Sequence, residues 1–156
     1  MNEIKLIPMT RSLCHEFFEH YENDPNLYMD MNELKPYIYS KEKADAYFDK
    51  QQRLGRISLA IMKDDHPIGE ILFKEIDTNR SECTIGICLQ NDTVKGKGYG
   101  TVAERLAVQY AFEALDMSTI KADVVVKNKR SQHVLEKIGF QRVGADDSFV
   151  YYEIQK

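Results

Sequence analysis

A glycine-rich segment, Val94 to Thr101 (VKGKGYGT), separates an apolar run from the longest amphipathic stretch of the chain. The run before it, Cys83 to Gln90, predicts a strand, and apolar residues recur at helical spacing from Val102 to Leu115. Glycines let backbone N–H groups approach an anion, and the first N–H groups of a helix have no partner inside it. Lys95 and Lys97 add positive charge. The segment therefore predicts a phosphate-binding site.

The glycine segment alone leaves the ligand open. A Walker A loop is absent, but Gly98 to Ala103 fits the dinucleotide pattern GxGxxG/A, and Asp123 follows about 20 residues later, where a ribose-binding acid is expected. Against this, Asn91 to Lys95 separate the glycines from the strand, and too little chain follows for a doubly wound sheet. A helix cap without a ligand is the third interpretation.

The remaining pattern predicts one domain over residues 1–156, of mixed α/β (α+β) class, with the order βααβββαβαββ. Short apolar runs bounded by turn residues predict the strands, and apolar residues three and four apart predict the helices. The predicted strands are Ile4–Pro8, Ile57–Met62, Ile68–Asp77, Cys83–Gln90, Ile120–Val126, Phe140–Val143 and Phe149–Ile154, and the helices begin near Leu13, Ser40, Val102 and Ser131.

Composition excludes several classes of protein. A net charge of −4 argues against nucleic-acid binding, and no apolar run reaches the ~20 residues of a membrane helix. No signal peptide is visible, and three cysteines without CxxC spacing fit a reducing compartment, so a cytoplasmic protein is expected. The histidines show no ligand spacing, so no metal site is expected.

Motifs in the second half of the chain indicate which ligand the glycine segment binds. A strand ending near Asn128 is followed by Ser131 and by Val134 to Phe140 (VLEKIGF). Together with Lys95 to Gly100 (KGKGYG), these motifs resemble the GNAT superfamily, the GCN5-related N-acetyltransferases, over Glu82 to Phe140. Within it, the pattern looks closest to the acetyltransferases of ribosomal-protein N-termini, with polyamine acetyltransferases as near neighbours.

The resemblance implies a central sheet of six to seven strands, flanked by about four helices and splayed between the strands that end at Gln90 and Val126. It also implies acetyl-CoA as cofactor. Leu135 departs from the family, because many members have a tyrosine there that protonates the leaving thiolate. The cofactor-binding residues it implies are Cys88, Leu89 and Gln90 beside pantetheine, Lys95, Gly96, Lys97, Gly98, Tyr99, Gly100 and Thr101 at the pyrophosphate, and Asn128 and Ser131 on the arm.

Acetyl transfer to an amine needs a base for the ammonium and benefits from a proton donor for the leaving thiolate. Glu82 is the first candidate base, because it shares strand parity with Cys88, and Glu70 is the second. Ser131 is the candidate acid, and a hydroxyl of Tyr151 or Tyr152 is the alternative.

The acceptor is expected to be a peptide N-terminus, a polyamine or another small amine, bound by the irregular segment Leu27 to Tyr39. The predicted substrate-binding residues are Tyr28, Met31, Tyr37 and Glu70. Two other functions stay open at this point, a coenzyme A-binding sensor without turnover and a dinucleotide-binding regulator. A homodimer is possible.

Overall fold

The computed structural model describes residues 3–156. Its helices are α1 (Arg11–Glu19), α2 (Lys41–Arg53), α3 (Tyr99–Glu113) and α4 (Lys129–Ile138). Its strands are β1 (Lys5–Pro8), β2 (Ile57–Lys63), β3 (His66–Asp77), β4 (Glu82–Leu89), β5 (Thr119–Val125), β6 (Gln141–Ala145) and β7 (Phe149–Gln155). The predicted order of elements, the mixed α/β class and the number of helices are confirmed.

One sheet holds all seven of these strands, in the order β1-β2-β3-β4-β5-β7-β6. Strands β4 and β5 are parallel neighbours, whereas the other neighbours are antiparallel. No helix among residues 3–156 is both long enough and apolar enough to cross a membrane.

The sheet splits between β4 and β5. The two strands pair only at Glu82 with Thr119, Cys83 with Ile120, and Thr84 with Lys121. Beyond these pairs the two strands separate toward their carboxyl ends. We call the gap between them the cleft. The predicted splay between the strands that end near residues 90 and 126 is confirmed.

Apolar packing covers both faces of the sheet. On one face, Phe73 and Ile120 pack against α3, where Ala107 is fully buried and lets the helix lie close to the strands. On the other face, Cys14 of α1 packs with Ala60 of β2. The sheet thus lies between two helical layers, and the cleft opens between two of its central strands.

Three of the four helices begin with a side-chain cap. Ser40 accepts a hydrogen bond from the Lys43 N–H at 3.1 Å, as predicted, and Thr10 caps α1 in the same way. Helix α3 differs, because Gly98 stands at its N-cap and offers no side chain. Among these four helices, α3 therefore begins with N–H groups that no capping side chain occupies and that a ligand can bind.

Candidate active site

A cavity of about 300 Å³ lies at the open end of the cleft. Its walls come from β4, from the loop after it, from the first turns of α3 and α4, and from the segment that follows α1. The residues that line it include Leu89, Lys95, Gly98, Glu104, Asn128 and Ser131.

The glycine loop forms one end of this cavity. Gly96 and Gly98 have φ angles of 72° and 83°, a region that favours glycine. The first hydrogen bond within α3 runs from the Val102 N–H to the Gly98 carbonyl, so the N–H groups of residues 99–101 have no partner within the helix. The first turn contains no acidic residue. The loop can thus bind an anion through backbone N–H groups and the helix dipole.

Only one of the two predicted lysines lines the cavity. The Lys95 ammonium lies 3.2 Å from a carboxylate oxygen of Asp24 and 3.6 Å from one of Asp92, and 13% of its side chain is exposed. Lys97 is exposed and lies outside the cavity, and the ring of Tyr99 lies under the Lys63 ammonium. The side chains of Lys97 and Tyr99 do not line the cavity, so the pyrophosphate contact predicted for these two residues rests here on their backbone N–H groups.

The structure commits Gln90 to other partners. Its N–H donates to the Ile68 carbonyl at 2.8 Å, and its carbonyl accepts from the Glu22 N–H at 2.9 Å. Its side-chain amide donates to the Phe17 carbonyl at 2.8 Å. The structure therefore does not leave Gln90 free to pair with the cofactor arm as predicted, because its hydrogen bonds hold β4 to β3 and α1.

The same argument applies to Cys88, because the backbone groups of a strand alternate in direction. Successive residues direct their backbone groups to opposite neighbours, and Cys88 has the same parity as Gln90 and faces Glu70 of β3. Ile87 and Leu89 therefore turn their backbone groups toward the cleft. Of the three predicted residues only Leu89 is placed to pair with a ligand there, and Ile87 was missed because the register was not known.

The start of α4 supplies polar groups to the cavity. The Asn128 side-chain oxygen accepts from the Ser131 N–H at 3.2 Å, which leaves the Asn128 amide NH₂ available to a ligand. The Ser131 hydroxyl also lines the cavity. Gln132 donates to the carbonyls of Val125 and Val126, at 3.2 and 2.7 Å, and so fixes the end of β5.

Leu135 faces away from the cavity. Only 1% of its surface is exposed, and it packs in the main core while Val134 lines the cavity instead. In the described chain this position therefore offers the site neither a proton donor nor an apolar wall.

Glu104 is a cavity residue that sequence reasoning missed. It lies in the second turn of α3, is 3% exposed and borders the cavity. Burial raises the pKa of its carboxyl to about 8. The signal was present, because Glu104 lies three and seven residues before the buried Ala107 and Ala111 and therefore on the inner face of the helix.

The predicted acceptor residues do not line this cavity. Tyr37 packs against Phe18 and Tyr21, with ring centres 5.5 and 5.2 Å apart. Met31 is 52% exposed, and Tyr28 is half-buried outside the cavity. Asp24, Asn26 and Leu27 line the cavity instead. Sequence alone could not choose them, since they lie in a segment without periodic pattern.

Glu70 lies on the sheet face that carries α1 and α2. It is 5% exposed, and both carboxylate oxygens accept hydrogen bonds, one from the Tyr47 hydroxyl and one from the Ser58 hydroxyl at 2.5 Å. Burial raises the pKa of Glu70 against the opposing effect of these bonds. Its contacts are those of a structural residue between sheet and helices.

Glu82 lies at the closed end of the cleft. It pairs with Thr119 in the sheet, and a carboxylate oxygen lies 3.4 Å from the Lys121 ammonium and 3.6 Å from Arg80. Six residues of strand separate it from Cys88, about 20 Å. The structure does not bring Glu82 to the cavity, so its assignment as base has no geometric support.

Cys88 borders the cavity as a thiol. Burial raises its pKa to about 11, so it is protonated and weakly nucleophilic at neutral pH. The site therefore offers no activated cysteine, and the described residues contain no group of three metal-binding side chains.

Comparisons with known proteins agree with this geometry. A family model described as an acetyltransferase (GNAT) domain matches residues 3–141. YjcK of Bacillus subtilis, provisionally named an N-acetyltransferase, is 42% identical over 82 residues, which are 52% of this chain and 45% of YjcK. YdaF of the same organism, provisionally named a ribosomal N-acetyltransferase, is 31% identical over 91 residues, 58% of this chain and 49% of YdaF. The chain thus aligns with about half the length of each.

A solved structure shows the same fold over nearly its whole length. The spermidine N-acetyltransferase of Vibrio cholerae, in complex with CoA and spermine, superposes with a TM-score of 0.78, covering 97% of this chain and 95% of the other at 18% identity. The family model agrees with the predicted enzyme class, acyltransferase, and with the predicted cofactor, acetyl-CoA, as properties of the family. The chain belongs to the GNAT acetyltransferase family.

Proposed function

We propose that this protein transfers the acetyl group of acetyl-CoA to a primary amine of a small cationic molecule, by direct attack in a ternary complex. One observation carries the proposal: a single cavity joins an anion-binding helix start to an unpaired strand edge and to a carboxylate, Asp24. These three features match an anionic pyrophosphate, an amide-bearing arm and an ammonium group.

The residues of the cavity fit the cofactor. The N–H groups at the start of α3, with Lys95, would bind the pyrophosphate. The backbone of Ile87 and Leu89 and the amide NH₂ of Asn128 would pair with the amides of the arm. Acetyl-CoA would supply the thioester carbonyl that the amine attacks.

Asp24 would hold the ammonium group of the acceptor. Its side chain is 22% exposed at the mouth of the cavity, and it is ion-paired with Lys95. A bound pyrophosphate would compete with Asp24 for the Lys95 ammonium. The carboxylate would then be available to a cation, which must lose a proton to solvent before it can attack.

The Ser131 hydroxyl would donate a hydrogen bond to the departing sulfur. A thiolate whose conjugate thiol has a pKa of ~8.5 is a tolerable leaving group. The protonated Cys88 favours direct attack over a covalent acyl-enzyme. A single domain over residues 1–156, a cytoplasmic location and a homodimer stay predictions.

Release of thiol from acetyl-CoA tests the proposal, with polyamines, N-terminal peptides and aminoglycosides as acceptors. Turnover that saturates with at least one amine is expected, with small polycations preferred over peptides because of Asp24. Binding of coenzyme A without turnover across the panel would favour the sensor. A thermal shift with NAD but none with coenzyme A would favour the dinucleotide regulator.

A further inference from the structure

We propose that Glu104 pairs, as a neutral carboxylic acid, with an amide group of the coenzyme A arm and so positions the cofactor in the cleft. The inference rests on the proposed function, because it takes the ligand of the cavity to be coenzyme A. It concerns a residue that neither the motif nor the proposed chemistry uses.

The position of Glu104 follows from the helix that carries it. It lies four residues after Gly100 and three before Ala107, so it shares the inner face of α3 one turn beyond the anion-binding start. It borders the cavity together with Ser131 and Val134 of α4. A cofactor arm that leaves the glycine loop and enters the cleft must pass this side chain.

The carboxyl of Glu104 has no protein partner. No hydrogen bond or ion pair reaches it from any residue between 3 and 156, although the residue is 3% exposed. In the same part of the chain, no side-chain oxygen is both sealed from solvent and unbonded. The Glu104 oxygens therefore contact the cavity space, where a ligand can reach them.

Charged neighbours do not explain the state of this carboxyl. The charged groups that border the cavity are Asp24 and Lys95, which pair with each other, and Arg130, which is exposed at the start of α4. Cys88 faces from β4 as a neutral thiol. Burial alone raises the Glu104 pKa to about 8, which leaves the carboxyl protonated at neutral pH.

A protonated carboxyl offers one O–H donor and one carbonyl acceptor side by side. A secondary amide offers the complementary pair, a carbonyl acceptor and an N–H donor, and the coenzyme A arm carries two such amides. Leaving a buried polar group unbonded is costly, so an amide that satisfies both oxygens is bound in preference to water. Ionisation removes the donor and adds a charge to a site for an anionic ligand, so it must weaken binding.

Calorimetric titration with desulfo-coenzyme A tests the pairing without turnover and without a titrating thiol. For the wild type, the dissociation constant should rise about tenfold between pH 7 and 9, since the free enzyme must take up a proton. At pH 8.5, binding should take up about 0.8 proton, measured from buffers of different ionisation enthalpy.

Glu104→Gln is the matched variant, because it keeps a donor and an acceptor but does not titrate. We expect it to bind within about threefold of wild type at pH 7, with the extra pH dependence and the proton uptake lost. Titrations that the two proteins share then cancel in the comparison. Glu104→Leu should bind desulfo-coenzyme A about tenfold more weakly at pH 7, because it loses the hydrogen bonds to one amide.

Parallel pH profiles for wild type and Glu104→Gln would overturn the proposal, and so would wild-type affinity in Glu104→Leu. Circular dichroism and thermal melting of each variant separate these results from misfolding. If desulfo-coenzyme A does not bind the wild type at pH 7, the proposed function itself fails; if it binds without the proton uptake, only the role of Glu104 fails.

Discussion

The two sides of the cavity are built in different ways. On the cofactor side, the glycine loop and the start of α3 present backbone groups, at positions that glycine and helix geometry define. On the side proposed for the acceptor, the segment from Asp24 to Tyr39 contains two short 3₁₀ turns, Pro25–Leu27 and Met31–Glu33, and no longer element. Exposed apolar side chains, such as Ile38 at 71%, lie on this segment.

This difference separates two kinds of specificity. A site made of backbone groups depends on a conformation, and many side chains in its neighbourhood can change without loss. A site made of side chains on an irregular segment depends on each residue, as for Asp24. Substitutions on the two sides should therefore affect different quantities, cofactor affinity on one and acceptor KM on the other.

The largest effect is expected on the cofactor side, from Gly98→Asp. A Cβ at Gly98 meets no atom within 4 Å, so the change does not create a clash. A carboxylate at the N-cap would accept the free N–H groups of α3 and repel the pyrophosphate. We expect coenzyme A to bind about 100-fold more weakly by calorimetry, about 2.7 kcal/mol.

Gly98→Asn is the control, since asparagine has the same shape and tolerates positive φ without adding charge. It should weaken binding about tenfold, by competing for the same N–H groups. Equal losses for the two variants would mean that charge is not what the loop selects, and that the pyrophosphate lies elsewhere.

A smaller effect is expected from Asp24→Asn, at the contact between the two sides. This variant should strengthen cofactor binding and weaken acceptor binding. The variant removes the closer and less exposed of the two carboxylate partners of Lys95, so coenzyme A should bind about threefold more tightly, since a partly buried ion pair no longer competes. The KM of a cationic amine should rise about tenfold, because its carboxylate partner is lost.

Asp92→Asn serves as the comparison, because Asp92 also pairs with Lys95 but is exposed and outside the cavity. It should leave the amine KM within about twofold of wild type. A rise in amine KM as large as that of Asp24→Asn would show that the acceptor responds to overall charge and not to Asp24.

The smallest effect is expected from Glu82→Gln, which lies on neither side of the cavity. Loss of its ion pairs with Arg80 and Lys121 should cost less than about 1 kcal/mol of unfolding free energy and change kcat less than about twofold. Ser131→Ala, inside the cavity, should lower kcat about tenfold in the same assay, because it removes one hydrogen bond to the leaving group. A loss of 100-fold or more in Glu82→Gln would reinstate Glu82 as the base.

The order of elements and the anion-binding loop could be predicted because both follow from local rules. Apolar periodicity marks α3, glycines mark the loop, and Ser40 marks the start of α2. The direction of each β4 backbone group could not be predicted in this way. It depends on which residue of β3 stands opposite, so Gln90 was assigned to the cofactor although its groups bind Ile68 and Glu22.

The side chains of the site were harder to predict for a related reason. Strand parity correctly put Glu82 on the same face as Cys88, but parity says nothing about distance along the strand. Helix position put Leu135 near the motif, whereas a turn of about 100° per residue directs it into the core and Val134 into the cavity. Distance along a strand and the direction of a helical side chain both depend on the three-dimensional arrangement of the elements.

The separation of β4 from β5 leaves an edge in the interior of a sheet. Exposed edges usually recruit another strand, and proteins protect them at their outer margins. Here the gap between the two strands is closed at its base by the pairing of Thr84 with Lys121. An extended chain that carries amide groups could pair with such an edge as a strand would, so the backbone of the gap can contribute to the choice of ligand before any side chain takes part.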